Sequence, residues 1–66
     1  LARLDEGVKV THALNPERGY WVQVVSGIIA MNGTEMRTSD GAALAREDIL
    51  TIEAETDAEV LLIDLP

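Results

Sequence analysis

The fold is decided by residues 20–33, which read YWVQVVSGIIAMNG. Residues 20–26 are rich in aromatic and β-branched side chains, which favour a well-buried strand. Ser26-Gly27 is a turn signal, and residues 28–31 are predicted to form the return strand. Asn32-Gly33 predicts a second tight hairpin, because both residues tolerate the positive φ of a type I′ turn. The centre of the chain is therefore predicted to be antiparallel β-structure.

The flanking sequence continues the period of two that is typical of strands. Further strands are predicted at residues 8–13, which should be half-buried, and at 34–36, 50–54 and 60–65, the last of them central or buried on both faces. Residues 42–46 are too few for a stable helix and are predicted to be extended. Short strands at intervals of roughly 8–12 residues indicate a sandwich or barrel.

Length limits what this β-structure can do alone. The chain has 66 residues, which we interpret as a single domain, residues 1–66. A domain of this size buries only about 60% of its unfolded surface. Small folds therefore usually need additional stabilisation from disulfides, a metal or a partner. The chain has no cysteine and one histidine, so disulfides and a multi-histidine metal site are excluded. About six strands make a partial barrel with open edges, which a second copy or a missing domain is expected to cover.

Composition excludes several classes of partner and location. The net charge is −7, with twelve acids against five bases. Nucleic acid and anionic membrane surfaces both attract basic proteins, so neither is an expected partner. No apolar run reaches the roughly 18 residues of a membrane span, and no signal peptide is visible. A cytoplasmic location is the expectation.

Three stretches together resemble a known family: WVQVVSG at residues 21–27, SDGAA at 39–43 and EVLLIDLP at 59–66. Their order and spacing resemble the C-terminal cupin of pirin-like proteins, which are two-cupin proteins of the quercetin 2,3-dioxygenase type. The resemblance runs from about Leu4 to the end of the chain. It implies a small, partial cupin barrel or jelly-roll sandwich. It also implies that the metal belongs to an N-terminal cupin and that the C-terminal cupin lacks the ligands.

The general cupin motifs can be laid on this sequence. The second motif fits without a gap, with Gly33 followed after five residues by Ser39-Asp40-Gly41. Its histidine ligand position then holds Leu44. Gly27 supplies the closing glycine of the first motif. The structural turn residues in this alignment are Gly27, Asn32, Gly33, Asp40 and Gly41.

The first motif fits more loosely and carries the remaining ligand positions. Counting back from Gly27 places the glutamate ligand at Tyr20 and the second histidine at Leu14. His12 fills the first histidine position only with a spacing one residue short. A catalytic metal needs three or four protein ligands, and one imidazole does not supply them. We therefore expect no metal, no cofactor and no catalytic residue in this chain.

Other functional interpretations stay open. Trp21, Val25, Leu44 and Leu62 are predicted to line a barrel interior that could take a small apolar ligand. His12 is expected to be a half-buried or surface histidine, and acidic pairs such as Glu47-Asp48 are expected to be solvated surface charge. The leading hypothesis is a non-catalytic cupin half that packs on an N-terminal cupin or forms a homodimer. The alternatives are a part of a quercetinase-like dioxygenase, with its metal site in the other half, and a small-molecule binding module.

Overall fold

The computed structural model describes residues 1–65 and contains eight β-strands in two antiparallel sheets. The strands are β1 (Ala2–Leu4), β2 (Lys9–Ala13), β3 (Gly19–Ser26), β4 (Ile28–Met31), β5 (Thr34–Arg37), β6 (Gly41–Ala45), β7 (Ile49–Ala54) and β8 (Ala58–Leu65). The first sheet has the order β1-β8-β3-β6, and the second has the order β2-β7-β4-β5. The predicted all-β, antiparallel fold is confirmed, and the sheets do not join into a closed barrel. Pro66, the last residue of the EVLLIDLP stretch, lies outside the described residues.

The strand count exceeds the predicted six because local sequence does not mark every strand. β1 has only three residues and no apolar alternation, and it was not predicted. It is a strand because Ala2 to Leu4 pair with Val60 to Ala58 of β8. Residues 42–46 are predicted as a short strand or extended segment, and β6 (Gly41–Ala45) confirms the short strand. None of the described residues form a helix that is long and apolar enough to cross a membrane.

The core lies between the two sheets, and the period of two explains which residues reach it. On β3, Tyr20, Val22 and Val24 are buried, whereas Trp21 and Val25 point outward and are exposed. The "well-buried strand" predicted at residues 20–26 is therefore buried on one face only. The largest fully buried side chains are Ile29, Leu50, Val22 and Val24. Because each sheet contributes two of them, the core is formed by the contact of the two layers.

The burial predicted for β2 was wrong, and that predicted for β8 was right in part. All five residues of β2 are exposed, although half-burial was predicted. β2 lies at the edge of the second sheet, and the edge of the first sheet opposite it carries only the short β1. β8 was predicted to be central or buried on both faces; it is an inner strand of the first sheet, between β1 and β3, but Ile63 to Leu65 are exposed. Nothing among the described residues covers the outer face of this strand.

Turn geometry follows the glycine and asparagine pattern. Asn32 and Gly33 connect β4 to β5 and have φ of 47° and 85°, which is the positive region that a type I′ turn requires. Gly27 connects β3 to β4 with φ of 91°. A Cβ atom on Gly27 would clash with the carbonyl oxygen of Asp57 and lie 2.8 Å from the Cα of Ala58. This turn therefore packs directly on the β7–β8 connection.

Candidate functional site

The four degenerate ligand positions lie on the inner side of the sandwich. His12 is on β2, opposite the buried Leu50 of β7. Leu14 follows β2 and is buried, and Tyr20 of β3 lies directly opposite Leu44 of β6, both of them also buried. Of the positions that the cupin alignment assigns to metal ligands, Leu14, Tyr20 and Leu44 are thus buried, whereas His12 is exposed and lines an open cavity.

The side chains at these positions do not fit a metal. Two of them are leucines, and Tyr20 has a structural hydrogen bond, because its hydroxyl oxygen accepts from the backbone N–H of Asn15 at 2.9 Å. Within residues 1–65, no group of three or more His, Cys, Asp or Glu side chains is placed to hold a metal ion. A catalytic metal site needs three protein ligands and an open position. No step of metal chemistry can be assigned to these residues.

A cavity of about 270 Å³ opens on the uncovered side of the sandwich. It is lined by the apolar side chains of β1, β2, β7 and β8 and by one imidazole: Leu1, Ala2, Leu4, Val10, His12, Leu50, Ile52, Val60 and Leu62. His12 is the one titratable side chain in this lining. Its neighbours are aliphatic, so the cavity offers no second group to orient the imidazole as a general base.

The four residues that were expected to line the interior occupy different places in the structure. Leu62 lines the cavity, and Leu44 belongs to the buried core. Trp21 and Val25 do neither, because they lie on the opposite face of β3 from the buried Val22 and Val24. An apolar strand such as β3 carries hydrophobic residues on both faces, so its sequence alone does not say which set faces inward.

The outer face of the first sheet carries an apolar patch that was not predicted. It contains Trp21, Ile63 and Leu65, with exposed fractions of 37%, 40% and 37%, and also Val25. Trp21 lies opposite Ile63 on β8 and Ala43 on β6. Its indole packs over Gly41, where a Cβ would clash with the ring, and its Nε1 donates to Gln23 Oε1 at 3.1 Å. This patch is called the outer face below.

The charged side chains belong to the surface. Arg18 Nε donates to Asp64 Oδ1 at 2.8 Å, and this hydrogen bond to the carboxylate raises the pKa of the Arg18 guanidinium. The acidic pair Glu47-Asp48 is exposed, and no carboxylate belongs to the cavity lining. General acid–base catalysis by paired carboxylates requires two acids that face each other across a pocket. The cavity does not provide that arrangement.

Comparison with known proteins identifies relatives of this sandwich. A family model described as the quercetinase C-terminal cupin domain matches residues 1–65. Quercetin 2,3-dioxygenase of Escherichia coli K12 is 47% identical over 55 residues, which are 83% of this chain and 24% of that protein. A pirin-like protein of Caulobacter vibrioides is 35% identical over 63 residues, which are 96% of this chain and 27% of that protein.

Solved structures give the same relationship. The crystal structure of YhhW from E. coli superimposes with a TM-score of 0.93 and 42% identity over 97% of this chain and 27% of that one. A second structure of YhhW, described as a bacterial pirin in complex with nickel(II), superimposes with a TM-score of 0.92. The chain thus spans about a quarter of the length of the proteins that it matches.

Proposed function

Because the chain belongs to the pirin family as a quercetinase-type C-terminal cupin domain, we propose that residues 1–66 are a metal-free, non-catalytic C-terminal domain of a two-cupin protein. In this proposal any dioxygenase chemistry belongs to an N-terminal cupin, and the present domain completes and stabilises it. The observation that carries the proposal is the apolar character of the inward ligand positions, with Leu14 and Leu44 among them. A cytoplasmic location is part of the proposal.

The packing role is supported by the outer face. Trp21, Ile63 and Leu65 expose large apolar side chains on the same face of the first sheet, with Trp21 opposite Ile63. Apolar patches of this kind, when they are contiguous, mark interaction surfaces. The matched proteins are about four times longer than this chain, because the match covers 24–27% of them. We therefore assign the N-terminal cupin as the occupant of the outer face, in preference to a second copy.

Metal content tests the non-catalytic assignment. We expect the purified 66-residue chain to retain less than about a tenth of a metal ion per chain after exhaustive dialysis, because one imidazole does not hold a catalytic metal. Mass spectrometry of the metal gives the stoichiometry, and circular dichroism establishes that the sample is folded. His12→Ala is expected to leave the number of metal ions per chain unchanged. Near-stoichiometric iron, copper, nickel or zinc that His12→Ala removes would contradict the proposal.

A matched pair of lysine substitutions tests the packing surface in the protein expressed from the complete reading frame. Ile63→Lys places a charge on the outer face of the first sheet, and Ile49→Lys places one on the second sheet at a site that is 50% exposed. Burying an unpaired charge in an interface is costly. Ile63→Lys is therefore expected to make the N-terminal cupin and the present domain unfold in two separate thermal transitions. Ile49→Lys is expected to leave a single thermal transition, in which both cupin domains unfold together.

Scanning calorimetry distinguishes the occupants of the outer face. Equal effects of the two lysine variants would contradict docking at this face. If Ile63→Lys abolished dimers but the two cupin domains still unfolded together, the result would favour the homodimer that the sequence also allowed.

A small apolar ligand is the second candidate, and the cavity of about 270 Å³ supports it. Its size is slightly below the roughly 300–1,000 Å³ of typical ligand pockets. The ligand would contact Leu62 and His12, and not Trp21, which faces away from the cavity.

A further inference from the structure

The edge of the first sheet is only half paired. β8 runs from Ala58 to Leu65, and β3 pairs with it along its length. On its other side, β1 pairs with Ala58 to Val60 only. Residues 61–65 therefore have a strand on one side and, within the part of the chain that the structure describes, no strand on the other. Open strand edges are templates for pairing with another strand.

Hydrogen bonds on β3 show which backbone groups of β8 face this edge. The N–H of Val24 donates to the carbonyl of Asp40 at 2.9 Å, and its carbonyl accepts from the N–H of Ser39 at 2.9 Å. Both polar groups of Val24 thus point away from β8. Because Val60 lies directly opposite Val24, its own N–H and C=O point away from β3, toward β1.

The alternation of an antiparallel ladder extends this result along β8. Residues two and four positions after Val60 have the same orientation, so Leu62 and Asp64 direct their N–H and C=O groups to the open edge. Leu61 and Ile63 direct theirs to β3. The open edge thus offers two residues, spaced as an antiparallel partner strand requires, in direct continuation of the pairing between Ala2 and Val60.

We propose that the residues preceding Leu1 in the complete reading frame continue β1 along this edge and pair with Leu62 to Leu65. This inference rests on the proposed function, in which an N-terminal part of the protein exists. The register of Ala2 with Val60 places the residue directly before Leu1 opposite Leu62, and the third residue before Leu1 opposite Asp64. An extension of about four residues is enough, because both strands advance about 3.3 Å per residue.

The extension has a consequence for the cavity. Side chains alternate across a strand, so those opposite Leu62 and Asp64 point to the inner side and those opposite Ile63 and Leu65 to the outer face. Leu62 lines the cavity on the uncovered side of the sandwich. The added strand would therefore cover that side with two inward side chains and enlarge the outer face with two outward ones.

Amide hydrogen exchange in the protein from the complete reading frame tests this proposal. We expect the amides of Leu62 and Asp64 to be protected, with Ile63, which pairs with β3, as the internal reference. Proline at the first and third residues before Leu1 removes the two donors that face β8. Exchange at Leu62 and Asp64 is then expected to rise on the order of 10–100-fold. Proline at the second and fourth residues removes donors that face solvent and serves as the matched control.

The outcomes separate this inference from the proposed function. Fast exchange at Leu62 and Asp64 in the unaltered protein would overturn the strand extension, and so would equal effects of the two proline variants. Protection that rises with protein concentration would overturn it in favour of pairing between two copies. The metal content and the Ile63→Lys comparison do not depend on this edge, so they test the metal-free packing domain independently.

Discussion

Replacing Ile29 with alanine is expected to cost about 2–5 kcal/mol of the free energy of unfolding, because the change leaves a cavity in the core. Ile29 is 0% exposed and pairs with Ala54 of β7 and Met36 of β5 in the middle of the second sheet. A domain of 66 residues has a total stability of roughly 3–10 kcal/mol. The substitution therefore removes a large share of the stability and unfolds part of the population at room temperature.

Urea denaturation, followed by circular dichroism, measures this loss as a shift of the midpoint at unchanged slope. Ile49→Ala is the control, because it deletes the same atoms from a side chain that is 50% exposed on the outside of the second sheet. We expect the control to stay within about 1 kcal/mol of the parent. Similar losses at the two positions would mean that the core is not where the two sheets meet.

Replacing Gly27 with alanine is expected to have the second large effect, about 2–5 kcal/mol, from two causes that add. The residue has φ of 91°, a conformation that costs an L-residue roughly 1–2 kcal/mol. The new Cβ would also clash with the backbone of Asp57 and Ala58, and forced displacement of a packed backbone costs about 1–3 kcal/mol. The backbone cannot rotate away as a side chain can.

Gly33→Ala is the matched control for this substitution. Gly33 has φ of 85°, but a Cβ there would meet nothing within 4 Å. It should lose only the conformational part, roughly 1–2 kcal/mol. The difference between the two variants in urea denaturation therefore measures the close approach of the β3–β4 turn to the β7–β8 connection. If Gly27→Ala and Gly33→Ala lose the same free energy, the two turns do not pack as described.

These glycines also bear on the functional assignment. In the cupin alignment of this sequence, Gly27 and Gly33 are placed at glycine positions of the two motifs, and Leu14 and Leu44 are placed at ligand positions. The need for glycine at these two turns is local and steric, so it is the same whether or not a metal is bound. A ligand requirement exists only where the metal is held. A packing domain is therefore expected to need the turn glycines but not the metal ligands.

Local patterns in the sequence were sufficient to predict most of the strands and the Asn32-Gly33 turn. The alternation in residues 20–26 and 50–54, and the Asn32-Gly33 hairpin, predicted strands that the structure contains. They were sufficient because side-chain alternation and positive φ are properties of neighbouring residues. The ligand positions His12, Leu14, Tyr20 and Leu44 were named from the cupin pattern; of these, the structure places Tyr20 opposite Leu44.

Only the tertiary structure decided which face of each strand is covered. Trp21 and Val25 are as apolar as Val22 and Val24, yet they lie on the outside of β3 because the second sheet packs on the other face. β1 is a strand only because β8 pairs with it, and β2 is exposed because the edge opposite it is short. Burial and edge pairing depend on residues that are distant in the chain. The sequence by itself therefore determined the turns and all strands except β1, whereas the pairing and packing of the two sheets determined the core, the outer face and the open edge.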